Sequence, residues 1–226
     1  MQAYVITIDG PSGSGKGTLA LKLANSLGFH VLDSGAIYRL AALKALDESI
    51  DLADEQQVLN AIKDLHIHFE AGDELTLPFL DGNDVSQRIR DEKTGSTASI
   101  IAAYPSIRDH LLQIQRDFLQ SPGLVADGRD MGTEVFPDAR IKIYLHASAD
   151  VRAKRRHKQL IDMGLSASMH DLLSEIEKRD DRDRNRSVAP LIPASDAIIV
   201  DCSMMEIEQV VDLVMSHIEE TNANLV

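Results

Sequence analysis

Gly10-Pro11-Ser12-Gly13-Ser14-Gly15-Lys16-Gly17-Thr18 combines glycines, small hydroxyl residues and one lysine in the order Gly-x-x-x-x-Gly-Lys. Glycines let a backbone turn tightly enough for successive N–H groups to converge on one anion. A helix starting at the second glycine adds the positive end of its dipole, and Lys16 adds a compact charge for the β- and γ-phosphates. This is the P-loop spacing, and its chemistry is to hold the phosphates of a nucleoside triphosphate. An apolar run before it and a helix-forming run after it supply the strand and helix that the motif needs. Where the general motif has Ser or Thr for magnesium, Gly17 follows the lysine and Thr18 comes next. Mg2+ is then expected to be held mainly by phosphates and water, which suits its reluctance to dehydrate.

Moving a phosphoryl group to a second phosphate brings two polyanions together, so the acceptor needs a cationic clamp of its own. Arginine's planar fork matches phosphate oxygens bidentately. Arg39 lies in Asp33-Ser34-Gly35-Ala36-Ile37-Tyr38-Arg39, and Arg129 lies in Asp127-Gly128-Arg129-Asp130. Arg108 falls on an expected long helix from Ser96 to Leu119, beyond Ser99 and Tyr104. In Arg179-Asp180-Asp181-Arg182-Asp183-Arg184-Asn185-Arg186, helical spacing puts 179, 182, 183 and 186 on one face. Such a run is either a solvated, ion-paired surface or part of a clamp. Ser187-Val188-Ala189-Pro190 stops the helix before the last strand, which favours the clamp. The basic stretch Arg152–Lys158 has two readings as well, a lid closing over donor phosphates or a charged surface face. Asp127 is read either as a partner in the magnesium's outer sphere or as a strand-terminal cap.

The rest of the composition narrows the partners. With 36 acidic against 23 basic residues, the formal charge is −13, so binding to a nucleic acid polymer is not expected. Cys202 is the only cysteine, which leaves no internal disulfide framework. No leader and no stretch of about 18 apolar residues is apparent, so no membrane association, a cytoplasmic location and a monomer are expected. His66 and His68 have metal-like spacing without a clustered third ligand, and Cys202 reads as a small residue at the core's edge.

These side chains need a scaffold. Ala3–Ile8, Phe29–Leu32, Leu124–Ala126, Ile141–Leu145 and Ala197–Val200 are short apolar runs of the buried parallel-strand kind. Helical periodicity fills Lys16–Leu27, Ala36–Leu46, Ser96–Leu119, Ala149–Met163, Met169–Arg184 and Glu206–Ile218. The alternation predicts an α/β fold with a doubly wound parallel sheet, whose ligands gather at the strands' carboxyl ends. Between Asp64 and Asp91, His66–Glu70 and Leu75–Leu77 alternate apolar with polar before a turn at Asp81-Gly82, predicting an inserted antiparallel meander.

With these motifs assembled, the chain resembles the bacterial cytidylate kinases nearly end to end, through Ile8–Thr18, Leu32–Arg39, Asp127–Thr133 and Arg179–Arg186. The resemblance implies a P-loop kinase fold, a five-stranded parallel sheet flanked by helices with a small antiparallel insert and a short lid. It implies a single domain over 1–226, with its core in 1–34, 92–150 and 187–226. The monophosphate-binding region is then about 35–91, and the lid and arginine helix about 151–186. The implied reaction is transfer of the γ-phosphoryl group of ATP, with Mg2+, to CMP or dCMP. By the same resemblance Ser34, Arg108 and Asp130 contact the cytosine ring, and Arg39, Arg129 and Arg186 grip the monophosphate. Ser99, Arg179 and Asp183 lie at the sugar, and Lys16, Arg129 and Arg186 neutralise the transferring group. Two other classes fit less well. A guanine-nucleotide switch lacks its Asn-Lys-x-Asp segment here, and Asp130, Arg108 and Ser34 together disfavour a kinase of non-nucleotide alcohols.

Overall fold

The computed structural model describes residues 4–70, 77–162, 164 and 166–223. The chain divides into two compact units, Met1–Leu32 with Phe118–Val226, and Asp33–Asp117.

The first unit is built on β1 (Tyr4–Asp9), β2 (His30–Asp33), β6 (Gly123–Gly128), β7 (Ile141–His146) and β8 (Ile198–Asp201), while β3 (Ile67–Glu70), β4 (Leu77–Leu80) and β5 (Asn83–Asp84) belong to the second. The five strands lie in the order β2-β6-β1-β7-β8, with β1 parallel to both its neighbours and β7 parallel to β8. All five expected runs fall on strands of this sheet, with Ala3 of the first lying outside the described residues. The central position of β1 explains its continuous apolar run, because a strand covered on both faces has no solvent side to make polar. The connection after β1 leads out to β2 on one side and that after β6 to β7 on the other, which opens a crevice at their carboxyl ends.

Helix α1 (Lys16–Leu27) ends at Gly28, whose φ of 68° suits a left-handed cap and whose amide donates to the Ala24 carbonyl. Its Leu19, Ala20, Leu23 and Ala24 are buried in one core cluster with Val210, Val214 and Ile218 of α8 (Ile207–Ala223). Two further helices, α6 (Ala149–Asp162) and α7 (Met169–Arg184), follow β7 in turn. The ends of α1 and α7 coincide with the sequence expectation. Among the described residues, no helix is long and apolar enough to cross a membrane.

The second unit holds α2 (Ser34–Asp47), α3 (Glu55–Ile62), α4 (Glu92–Ile101), α5 (Pro105–Arg116) and the three-stranded antiparallel sheet β3-β4-β5. The expected turn is present, with Asp81 and Gly82 both at positive φ (49° and 80°) between β4 and β5, the backbone that a two-residue hairpin favours. Leu75 and Thr76 of the expected second strand lie outside the described residues. Leu80, Val85 and Ile89 pack on Ala36, Leu40 and Leu43 of α2.

Two expectations fail here. The single helix over Ser96–Leu119 is two, α4 and α5, separated by Ala102-Ala103-Tyr104. Pro105 is the cause: it lacks an amide to continue α4 and disfavours helical backbone at Tyr104, while its fixed φ suits the first turn of α5. Helix α3 has no counterpart among the expected helices. Asp54 caps it by accepting from the Gln57 amide, and Val58 and Ile62 bury one side of it.

Candidate active site

The donor loop leaves β1 at Gly10 and enters α1 through Gly15, which takes a left-handed conformation (φ 99°) and brings no capping side chain. By contrast, Asp33, Asp54 and Ser168 cap α2, α3 and α7 with side-chain oxygens. The start of α1, which presents the positive end of the helix dipole and carries no capping side chain, suits an anion. Lys16 is buried, and its Nζ donates to the Pro11 carbonyl at 2.9 Å. The Ser14 hydroxyl donates to that same carbonyl at 3.1 Å.

The loop's other carbonyls are gripped from behind. Arg152 Nη1 donates to the Ser12 carbonyl at 3.0 Å, and Arg155 Nη1 to the Ser14 carbonyl at 3.1 Å. Cys202 Sγ lies 3.3 Å from the Ser14 carbonyl as a donor, and Arg155 Nη2 donates to the Cys202 carbonyl at 2.9 Å. In a planar trans peptide the N–H points opposite the C=O. Pinning the carbonyls of Pro11, Ser12 and Ser14 thus sets the amides of Ser12, Gly13 and Gly15.

Arg152 fits neither of the two readings of Arg152–Lys158, a lid cation or a charged surface face. It is 1% exposed. Its Nε donates to the Ala147 carbonyl at 2.9 Å, and its two terminal nitrogens reach both carboxylate oxygens of Asp180 on α7, Nη1 at 3.1 Å. Arg152 also covers Gly13, where an added Cβ would sit 3.4 Å from the Arg152 Cβ. This arginine is therefore a brace beneath the loop. Lys154 and Lys158 are exposed.

At the end of β6, Asp127 is buried and lies across from Ile8 in the register, with Gly128 across from Asp9. Arg129 Nε donates to Asp183 Oδ2 at 3.0 Å, and its Nη1 to the Gly128 carbonyl at 3.1 Å. Asp183 is held in turn by its own carbonyl, which accepts from the Leu191 amide at 2.8 Å. Asp130 is buried and opens one turn of π-helix over Met131–Val135. Arg186 is buried too, but it stands beyond the end of α7 at Arg184 rather than on its helical face. Arg179 and Arg182 are partly exposed on α7.

Asp9 ties the end of β1 to the turn after β6. One carboxylate oxygen accepts from the Met131 amide and the other from the Gly132 amide, each at 2.8 Å. Burial pushes its carboxyl from 3.8 up to about 6; the Gly132 and Met131 amides and the Lys16 charge oppose the rise, and Asp130 adds to it. A folded-state value above the unfolded one means that the folded protein binds the proton more tightly. The resulting stabilisation is complete below the unfolded value and is lost as pH rises through about 6. Lowering pH from about 7 to about 5 is therefore expected to stabilise the protein by about 1.4 kcal/mol relative to an Asp9→Asn variant. Urea unfolding of both proteins at the two pH values checks this, and a pH-independent difference would refute it.

The second unit carries Ser34, Arg39, Ser99 and Arg108. Ser34 Oγ donates to Gln115 Oε1 at 2.7 Å, and Gln115 Nε2 to the Leu111 carbonyl at 3.2 Å, so the buried amide of Gln115 orients the hydroxyl. Arg39 pairs with Asp33 at 3.2 Å. Gly35 leaves room for that pair, since a Cβ there would lie 3.1 Å from Asp33 Oδ1 and 3.5 Å from Arg39 Nη1. The Arg108 guanidinium lies 5.9 Å from the Tyr38 ring centroid, and its Nη1 reaches the Ala102 carbonyl at 3.5 Å, at the end of the helix bearing buried Ser99. His68 stacks on Phe79 with ring centroids 4.5 Å apart, and its Nε2 lies 3.4 Å from Glu70.

Sequence reasoning missed Asp9, Arg152 and Gln115 as parts of this machinery. A carboxylate ending the strand before a P-loop was a signal for the first. The partners of the other two are distant in the chain, and no local pattern announces them.

Comparison with known proteins gives a consistent result. The family model described as cytidylate kinase matches residues 6–220. A cytidylate kinase of Photobacterium profundum is 54% identical over 218 residues, covering 96% of this chain and 96% of that protein. One of Vibrio vulnificus is 53% identical over 218 residues, with 96% of each covered. A solved gluconokinase from Sinorhizobium meliloti superposes with a TM-score of 0.52 at 14% identity, covering 99% of this chain and 97% of that one, which is a likeness of fold.

Proposed function

The chain belongs to the cytidylate kinase family, and from that premise we propose that it transfers the γ-phosphoryl group of ATP in line to a phosphate oxygen of CMP or dCMP. The products are ADP and CDP or dCDP, and the enzyme works as a cytoplasmic monomer. The observation that carries this reading is the pair of anion-ready features ending adjacent strands: the uncapped start of α1 with Lys16 after β1, and the Arg129-Asp130 loop after β6.

Gly10–Thr18 holds the donor phosphates, and Lys16 balances charge between the β- and γ-phosphates. The acceptor phosphate is already ionised, so no strong general base is required. Catalysis is positioning and charge neutralisation. Arg39, Arg129 and Arg186 grip the acceptor phosphate. Asp183 takes Arg129 Nε and the Gly128 carbonyl takes Nη1, which leaves Nη2 of that arginine to reach the acceptor. Ser99, Arg179 and Asp183 meet the sugar. Magnesium accompanies ATP and spreads the charge on its phosphates. Asp127, a buried carboxylate ending β6 beside the donor strand, fits an acceptor for water on that ion, and Gly17 leaves the ion to phosphates and water.

Asp130 selects the base with Ser34 and Arg108. A carboxylate only accepts hydrogen bonds, so it matches the N4 amino group of cytosine and opposes the O4 of uracil. Turnover with ATP on CMP, dCMP, UMP and AMP tests the whole reading, with CMP and dCMP expected to be preferred. Asp130→Ala is expected to reduce CMP-over-UMP discrimination by about tenfold or more. Unchanged discrimination would remove Asp130 from base recognition.

A further inference from the structure

The peptide unit that follows Asp130 is tied down through both its groups. Its carbonyl, that of Asp130, accepts from the amides of Glu134 and Val135 at 2.9 and 3.2 Å. Its N–H, that of Met131, donates to one oxygen of Asp9, and the amide of the next unit, that of Gly132, donates to the other. A single π turn interrupts normal hydrogen bonding and persists where its surroundings over-determine it, often at functional sites. Here the surroundings include β1 itself. A Cβ added at Gly132 would lie 2.9 Å from Thr7 Oγ1 and 3.1 Å from Lys142 Cδ, so the turn is seated directly on the sheet. A Cβ added at Gly128 would meet Met131 Cγ at 2.8 Å, which keeps the approach to Asp130 equally tight.

We infer that Asp9 is a positioning residue for base selection: by clamping the Met131 and Gly132 amides it fixes the backbone of Asp130, and with it the direction of the carboxylate that meets the base. Asp9 is also the last residue before Gly10, so one side chain at the end of the donor strand sets the geometry of the acceptor-reading loop. The charged groups around it are Asp130 and Lys16. Asp130 repels it and Lys16 attracts it, and the two amides decide where it stays. The inference rests on the reading of Asp130 as the group that selects cytosine.

Asp9→Asn is the test, because it keeps the shape but turns one acceptor into an NH2 group facing an amide donor. At saturating ATP, KM for CMP is expected to rise about tenfold and the CMP-to-UMP ratio of kcat/KM to fall by a similar factor. KM for ATP is expected to change by less than about threefold. Gly132→Ala, which lifts the turn off β1 without touching a charge, is expected to give the same split, and it decides the matter if Asp9→Asn does not fold. In Asp9→Asn/Asp130→Ala, discrimination is expected to be no lower than in Asp130→Ala alone. An Asp9→Asn enzyme with wild-type discrimination, or with ATP and CMP KM values raised alike, overturns the inference while leaving the role of Asp130 intact. Unchanged discrimination in Asp130→Ala overturns both.

Discussion

Arg152→Ala is expected to destabilise the protein by about 3–5 kcal/mol, because it strands Asp180 as a buried, unpaired charge. Asp180 is 4% exposed and has both carboxylate oxygens on the guanidinium. The substitution also strips a donor from the Ser12 and Ala147 carbonyls, and each buried acceptor left unmet costs about 1–3 kcal/mol. A fall in the thermal midpoint of about 10 °C follows for a chain of this length. KM for ATP should rise, because the peptide plane that aims the Gly13 amide is no longer held. Replacing both partners, as in Arg152→Met/Asp180→Leu, should restore much of the stability, since two apolar side chains leave no charge behind. The donor site should remain loose in that double variant, because the grip on Ser12 is still missing. Thermal unfolding and ATP titration of the three proteins measure both effects. A wild-type midpoint with slower turnover in Arg152→Ala would mean that this arginine acts as a mobile lid cation.

The second large effect is expected at Gly10. Its φ of 151° lies where side chains are disfavoured, and an added Cβ would fall 2.1 Å from the Leu145 carbonyl oxygen. That oxygen belongs to the backbone of β7, so no side-chain rotation relieves the clash. Gly10→Ala must either separate the ends of β1 and β7 or change the path of the donor loop. A loss of several kcal/mol is expected, on the order of the largest effects of single substitutions, together with loss of ATP binding. Gly17→Ala is the control. Its added Cβ meets nothing within 4 Å, and alanine in the first turn of α1 should raise helix stability by about 0.5–1 kcal/mol. Binding of a fluorescent ATP analogue and folded yield distinguish the two. Equal tolerance at both positions would mean that sterics do not govern this loop.

The contrast between these glycines marks where the sequence was legible. Gly10, Gly15 and Lys16 are spaced by a local geometric requirement, so the donor loop and its flanking strand and helix could be read directly. The Asp127–Asp130 and Arg179–Arg186 segments were legible as candidates through local charge and family resemblance. Arg152 was not. A run such as Arg152–Lys158 has the same composition whether its arginines meet water or hold Ser12 and Asp180, which stand 140 and 28 residues away. Gln115 was hidden for the same reason, being 81 residues from Ser34. The break before α5 is a different case. Pro105 stands in the sequence itself, and its missing amide forbids the unbroken helix that periodicity across Ser96–Leu119 predicts.

Cys202 gives the braced loop a consequence for measurement. It is the chain's only thiol, it is 2% exposed, and its sulfur sits against the Ser14 carbonyl. A reagent must wait for that seam to part before it can alkylate the sulfur. In the native protein, the alkylation rate therefore clocks local opening around the donor loop, with no label introduced and no competing cysteine.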